Sequence, residues 1–125
     1  FQSMSGAPMV QHSLNCMLEF YKQGLISLEK IVEKMCHNPA ILYRIKNRGF
    51  IREGYFADLT LVDLNSQWTV AKDNLLYKCG WSPLEGTKFQ SKIKQTFVNG
   101  NLVYDNGRFN ETIKGMEITI TKQPN

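Results

Sequence analysis

Histidine, cysteine and long apolar runs are what this 125-residue chain has least of. Its two histidines, His12 and His37, stand in neither an H-x-H nor an H-E-x-x-H spacing, so neither common zinc motif can be built from them. Three cysteines, Cys16, Cys36 and Cys79, are too few and of the wrong parity for a disulfide framework. They fit reduced, buried thiols in a cytoplasmic protein, and no metal site is expected from the chain alone. No stretch approaches the roughly 20 consecutive apolar residues of a helical membrane span, so no membrane partner is expected. Glycine-rich phosphate loops, zinc-finger spacings and RNP-like aromatic runs are missing too. Asn99-Gly100-Asn101 reads as a turn.

What is present is the composition of one folded unit. Apolar residues make up 42% and charged residues 21%, away from the disordered regime. A chain of this length buries roughly two thirds of its unfolded surface, enough for one core. The net charge of +4 prompts the question of a nucleic-acid partner. The basic residues, however, are scattered, and the one bunch, Arg44, Lys46, Arg48 and Arg52, reads as a solvated helix end. No nucleic acid is expected. Phe1 to Met4 reads as the remnant of an expression tag, set aside from fold reasoning. The segment from Ser5 onward starts like a loop cut from the middle of something larger.

Patterning changes near residue 50. Met9, Val10, Leu14, Met17, Leu18 and Tyr21 recur at helical spacing, with Gly24 as the stop. Ser27 caps a second helix from Leu28 to Cys36, striped by Leu28, Ile31, Val32 and Met35. Asn38-Pro39 restarts a short third helix running to about Ile45, with Asn38 as its cap. Beyond Gly49 the period becomes two. Asp58 to Asp63 reads as a strand with Gln67 to Val70 as its partner. Ile93 to Val98 and Leu102 to Tyr104 form a hairpin about Asn99-Gly100, the dipeptide of a type I′ turn. Asn106-Gly107 makes another turn, and Met116 to Thr121 alternates as a final, half-exposed strand. Helices followed by strands imply an α+β fold.

Catalytic groups are thin. Cys36 and His37 are adjacent and diverge on a helix, and Cys79 lies in no nucleophile motif. Asp58 and Asp63, five apart on one strand, face opposite sides, which disfavours a paired acid–base role.

The order of motifs carries a resemblance. Asn38-Pro39-Ala40 followed by Gly49-Phe50-Ile51-Arg52-Glu53-Gly54-Tyr55-Phe56-Ala57-Asp58-Leu59 resembles the N-P-A … G-x-I-x-x-G-x-x-A-D-L pattern of amidohydrolases. Val98-Asn99-Gly100-Asn101-Leu102-Val103 resembles the hairpin that closes their small β-sandwich. Ser82-Pro83-Leu84-Glu85-Gly86 resembles an element of the cyclic amidohydrolases, and Ser5 to His12 looks most like a dihydroorotase. The resemblance implies the last helices of a (β/α)8 barrel over 5–50 and the C-terminal part of a β-sandwich over 51–125. It implies a zinc hydrolase of pyrimidine biosynthesis interconverting N-carbamoyl-L-aspartate and dihydroorotate, zinc activating water against a cyclic amide. The family's metal ligands are an H-x-H pair, a carboxylated lysine, two further histidines and a basic aspartate. None has a counterpart here, so no catalytic or metal residue is assigned and the chain alone is expected to be inactive. The resemblance does place Gly6 and Ala7 where family backbone groups hold a substrate carboxylate, small residues letting N–H groups approach an anion. The same pair also reads as a plain turn before a helix. Another cyclic amide hydrolase (dihydropyrimidinase, hydantoinase or allantoinase) and a non-catalytic interaction module are the alternatives. Self-association is expected through the helical faces Leu14/Met17/Leu18/Tyr21 and Leu28/Ile31/Val32/Met35.

Overall fold

The computed structural model of the chain describes residues 6–121, so the readings made for Phe1 to Ser5 lie outside the described residues. The helical periodicity from Met9 becomes a 3-10 turn, Val10–His12, running into α1, Ser13–Lys22. Gly24, at φ +73°, ends it and donates its N–H to the Tyr21 carbonyl at 2.9 Å. The Ser27 hydroxyl accepts from the Lys30 N–H at 3.2 Å and opens α2, Leu28–Val32.

At Asn38 the structure departs from the expected break. Asn38 has helical angles (φ −62°, ψ −42°), and α2 continues through a π turn, Glu33–His37, into α3, Asn38–Leu42. Pro39 offers no N–H, and its ring crowds the carbonyl four residues back. Widening the preceding turn, with the Asn38 N–H on the Glu33 carbonyl, makes room for that ring without stopping the helix. The helix ends at Leu42 rather than near Ile45, because Arg44 takes φ +53° while the Ile45 N–H reaches back to the Ala40 carbonyl at 2.8 Å.

The chain divides into two units that interleave in sequence. One comprises the described residues up to Leu25 together with Asp63–Lys92, and its core is Leu18, Val70, Phe89 and His12. Here β2 (Trp68–Thr69) pairs antiparallel with β3 (Lys88–Phe89), Trp68 opposite Phe89. The segment 67–70 is therefore not the partner of residues 58–63. Its partner is chosen by the indole: the Trp68 ring lies 5.5 Å from that of Phe89 and its Nε1–H donates to the Ser91 carbonyl at 2.9 Å.

The second unit comprises Ile26–Val62 and the described residues from Ile93. Its four-stranded sheet has the order β1 (Leu59–Asp63), β4 (Lys92–Val98), β5 (Asn101–Asp105), β6 (Arg108–Phe109). Both Asn-Gly turns form as the sequence implies. Asn99 and Gly100 sit at φ +53° and +80°, Asn106 and Gly107 at +48° and +96°, the positive pair a type I′ hairpin requires. Met116 to Thr121 is not a regular strand. It makes one bridge, Ile120 to Ile45, flanked by Lys46 N–H to Thr119 O and Thr121 N–H to Arg44 O, both 2.9 Å. Its partner is the helix exit, where Arg44 and Asn47 both have positive φ, so the ladder cannot extend. Among the described residues, three α-helical segments and six strands together make up the expected α+β class.

Among the described glycines, Gly49 alone has neighbours where a Cβ would stand. At φ +79° a Cβ there would lie 2.4 Å from the Ala40 Cβ and 2.8 Å from the Cys36 carbonyl oxygen. Gly54 has the same φ with nothing within 4 Å. Gly49→Ala is expected to cost about 2–4 kcal/mol, left-handed strain plus overpacking, and Gly54→Ala only about 1–2 kcal/mol. Urea midpoints of the two variants test this; equal losses would mean that the approach of Gly49 to Ala40 is not a packing constraint.

Candidate functional site

Gly6 and Ala7 lie on exposed backbone ahead of the 3-10 turn, with Gly6 at φ +106° and open space where a Cβ would stand. No described residue accepts a hydrogen bond from either N–H in the structure. The residues immediately after them fix where this backbone goes. Gln11 spans the 74–77 segment with three hydrogen bonds of 2.9 Å. Its backbone N–H donates to the Tyr77 hydroxyl, its Nε2 donates to the Asn74 carbonyl, and its Oε1 accepts from the Leu76 N–H. Asn74 is itself held, its Oδ1 accepting from the Ala71 N–H and its Nδ2 donating to the Thr69 carbonyl. No spacing rule singled out Gln11, because a glutamine clamp between distant loops leaves no periodic mark.

His12 is wholly buried. Its ring centroid lies 5.8 Å from Trp68, 5.9 Å from Tyr77 and 6.0 Å from Phe89, and neither ring nitrogen has a hydrogen-bond partner. Burial lowers its pKa below the ordinary 6.5, so the ring is neutral and packs as an aromatic. A buried, unpartnered N–H of this kind costs about 1–3 kcal/mol. His37 lies in the other unit and stacks face to face on Phe50, centroids 4.2 Å apart. The two histidines therefore serve two separate aromatic clusters.

The G-x-I-x-x-G-x-x-A-D-L segment also acquires a role. Asp58 stands just before β1, not on it. Its Oδ1 accepts from the Asn99 N–H at 2.8 Å, and its Oδ2 pairs with the Arg48 guanidinium, which also donates to the Asn99 Oδ1. The Gly100 N–H donates to the Ala57 carbonyl at 3.0 Å. Arg48 further stacks 4.1 Å over Phe56, and Arg52 lies 4.4 Å over Phe50. Of the basic bunch, Arg44, Lys46 and Arg52 are exposed as a solvated end would be, though Arg52 lies over a ring. Arg48 departs from that reading, its side chain largely buried by cation–π contact and the ion pair with Asp58. The sequence offered a signal for this in the alternation of arginines with Phe50, Tyr55 and Phe56.

Among the described residues, no three His, Cys, Asp or Glu side chains converge as a metal site would require. Cys16 is half-buried while Cys36 and Cys79 are exposed, and desolvation raises the pKa of Cys16 and Cys36, away from nucleophilic behaviour. No described helix is long and apolar enough to cross a membrane.

With helices and antiparallel strands in this order, the chain belongs to the amidohydrolase family, whose model matches residues 2–103. It is similar to the dihydroorotase of Pyrococcus furiosus, 39% identical over 101 residues that make up 81% of this chain and 24% of that protein. The dihydroorotase of Thermococcus kodakarensis is 32% identical over 116 residues, 93% of this chain and 28% of the relative. Among solved structures, the L-hydantoinase (dihydropyrimidinase) of Arthrobacter aurescens superimposes with a TM-score of 0.83 at 30% identity, covering 94% of this chain and 27% of that one. A D-hydantoinase gives 0.76 at 25% identity, over 85% and 23%. The chain thus spans about a quarter of the length of the relatives it matches.

The neutral His12 gives the first unit an acid limit. Its folded-state pKa is depressed, so the unfolded chain takes up a proton near pH 6.5 that the folded chain refuses. The contribution is fully present above that value and is lost as pH falls, at up to about 1.4 kcal/mol per pH unit for one proton. His12→Phe is expected to raise the urea midpoint and flatten the decline between neutral and mildly acidic pH. A variant whose midpoint falls with pH as steeply as the parent's would show that another group sets the limit.

Proposed function

We propose that this chain is the C-terminal part of a dihydroorotase, the hydrolase that interconverts N-carbamoyl-L-aspartate and dihydroorotate. The observation that carries the reading is the 39% identity to the P. furiosus dihydroorotase over 81% of the chain. In this reading residues 5–50 close a (β/α)8 barrel and residues 51–125 belong to a β-sandwich. A second reading, a hydrolase of other cyclic amides, is favoured by the hydantoinase superposition. The two differ in the ring substrate and share the bond that is broken.

The part assigned to this chain is positional. Gly6 and Ala7 are the backbone N–H groups that would hold a substrate carboxylate, a task suited to a positive-φ glycine followed by a small residue. Gln11 and the buried His12 would fix that backbone by pinning the start of the first helix. Zinc would supply the activated water in the whole enzyme. The described residues of this chain do not fit that ion. The unpartnered nitrogens of His12 belong to a ring set among Trp68, Tyr77 and Phe89, and among the described residues no three His, Cys, Asp or Glu side chains converge. The machinery that attacks the amide would lie in the rest of the protein, which would act in the cytoplasm on a small-molecule substrate.

Two measurements test this. The first is turnover of dihydroorotate and of hydantoin, with zinc content, for the 125-residue chain and for the longest polypeptide its reading frame encodes. Dihydroorotase activity and zinc in the longer protein are expected, with neither in the chain alone. Turnover of hydantoin without dihydroorotate would select the second reading, and inactivity of the longer protein would favour an interaction module. In an active longer protein, Ala7→Pro, which deletes one N–H, is expected to raise KM about tenfold through the lost hydrogen bond to a charged group.

The second concerns association. Of the two helical faces expected to be open, Leu18 and Ile31 are instead buried in the cores of their units. The apolar residues left exposed in the helical half include Val10 (88%) and Leu25 (70%), with Val32 (43%) and Leu42 (72%) in the other unit. Uncovered apolar area of this kind favours association, so the isolated chain is expected to dimerise through its helical half. A sedimentation coefficient that stays monomeric across a hundredfold concentration range, taken here as roughly the span that resolves micromolar dimers, would refute it.

A further inference from the structure

The two Asn-Gly turns share one conformation and differ in how they are held. We propose that Asn106 is a site of spontaneous deamidation in the folded protein, while Asn99 is protected by the clamp of Asp58 and Arg48.

The chemistry needs two things of an Asn-Gly pair: a free glycine nitrogen and a side-chain amide able to turn toward it. In mildly alkaline solution hydroxide removes the Gly107 amide proton, and the nitrogen attacks Cγ of Asn106. A C–N bond closes a five-membered succinimide, the Cγ–Nδ2 bond breaks, and the departing nitrogen takes a proton and leaves as ammonia. Water then opens the ring at either carbonyl, leaving aspartate or isoaspartate at position 106. No oxidant or cofactor enters.

At Asn99 both requirements are blocked. The Gly100 N–H is donated to the Ala57 carbonyl, the Asn99 Oδ1 is held by Arg48, and its backbone N–H is held by Asp58. The Asn99 carbonyl also accepts from Asn101 Nδ2 at 3.2 Å. At Asn106 the residue is exposed, and the Gly107 N–H donates to no described residue. The side chain is held through Nδ2, which donates to Asp105 Oδ1 at 2.8 Å, an oxygen that also accepts from Gln95 Nε2 at 3.1 Å. The Asn106 N–H is held by the Lys94 carbonyl at 2.8 Å; neither bond engages the Asn106 Oδ1 or the Gly107 N–H. The following strand, β6, is two exposed residues long, so this turn opens far more readily than the one anchored on both sides. Conversion would place a new negative charge beside Asp105 and reduce the net charge of +4 by one.

The test is peptide mapping by mass spectrometry of the 125-residue protein aged in mildly alkaline buffer, with and without denaturing urea. In buffer, Asn106 is expected to convert about tenfold or more faster than Asn99, the ratio that one or two charged hydrogen bonds impose on opening. In urea the two rates are expected to converge, since both asparagines precede glycine. Asp58→Asn, with its fold checked by circular dichroism, is expected to narrow the gap by accelerating position 99. Equal rates in buffer would overturn the proposal. So would a gap that persists in urea, which would make it a property of local sequence. Faster conversion at Asn99 would mean that Arg48 activates the amide instead of restraining it.

Discussion

The carboxylate of Asp58 is the point on which the second unit turns. It receives a guanidinium from a loop ten residues earlier and a backbone N–H from a turn forty-one residues later. Three segments distant in sequence thus meet on one side chain. Arg48 has a side chain only 11% exposed, stacked on Phe56, so its charge could not be left unpaired at small cost. The ion pair is held in place because the arginine has few other positions, and the hairpin of β4 and β5 inherits that order through Asn99 and Gly100. Gly49 supplies the complementary constraint: the chain can pass Ala40 and Cys36 only because no Cβ is there.

The first unit is organised by a different kind of interaction. Gln11 and His12, adjacent in sequence, act in opposite ways: one makes hydrogen bonds to a neighbouring loop, the other gives them up to enter an aromatic cluster. Asn15 and Trp68 both donate to the Ser91 carbonyl, so polar satisfaction and ring packing converge just after β3. The backbone of Gly6 and Ala7 thus leads into a segment held by the hydrogen bonds of Gln11 and the burial of His12, as the proposed carboxylate-binding role would require. The family motifs, by contrast, prove to be architectural. Asn38-Pro39-Ala40 shapes a π turn, and Gly49 through Asp58 builds the clamp.

Much of this was legible in advance, and the reasons are local. The helix from Met9, the cap at Ser27 and both Asn-Gly turns depend on residues within a few positions of one another, where propensity and φ preference act directly. The π turn was not legible, because Asn-Pro serves equally as a helix start and as a helix insert, and no local pattern selects between the two. The pairing of Trp68 with Phe89 was missed since strand partners across a long connection are chosen by burial, which no local pattern encodes. Likewise Met116 to Thr121 alternates like a strand, yet finds a partner that allows a single bridge.

The sequence by itself determined the family, the α+β class and the positions of most turns. It did so because motifs, caps and positive-φ residues are properties of short segments. Tertiary structure decided the rest: that Arg48 and Arg52 lie on rings, that His12 is buried and uncharged, and that Asp58 is an anchor. Those outcomes depend on desolvation and on contacts between distant segments, and neither exists until the chain has folded.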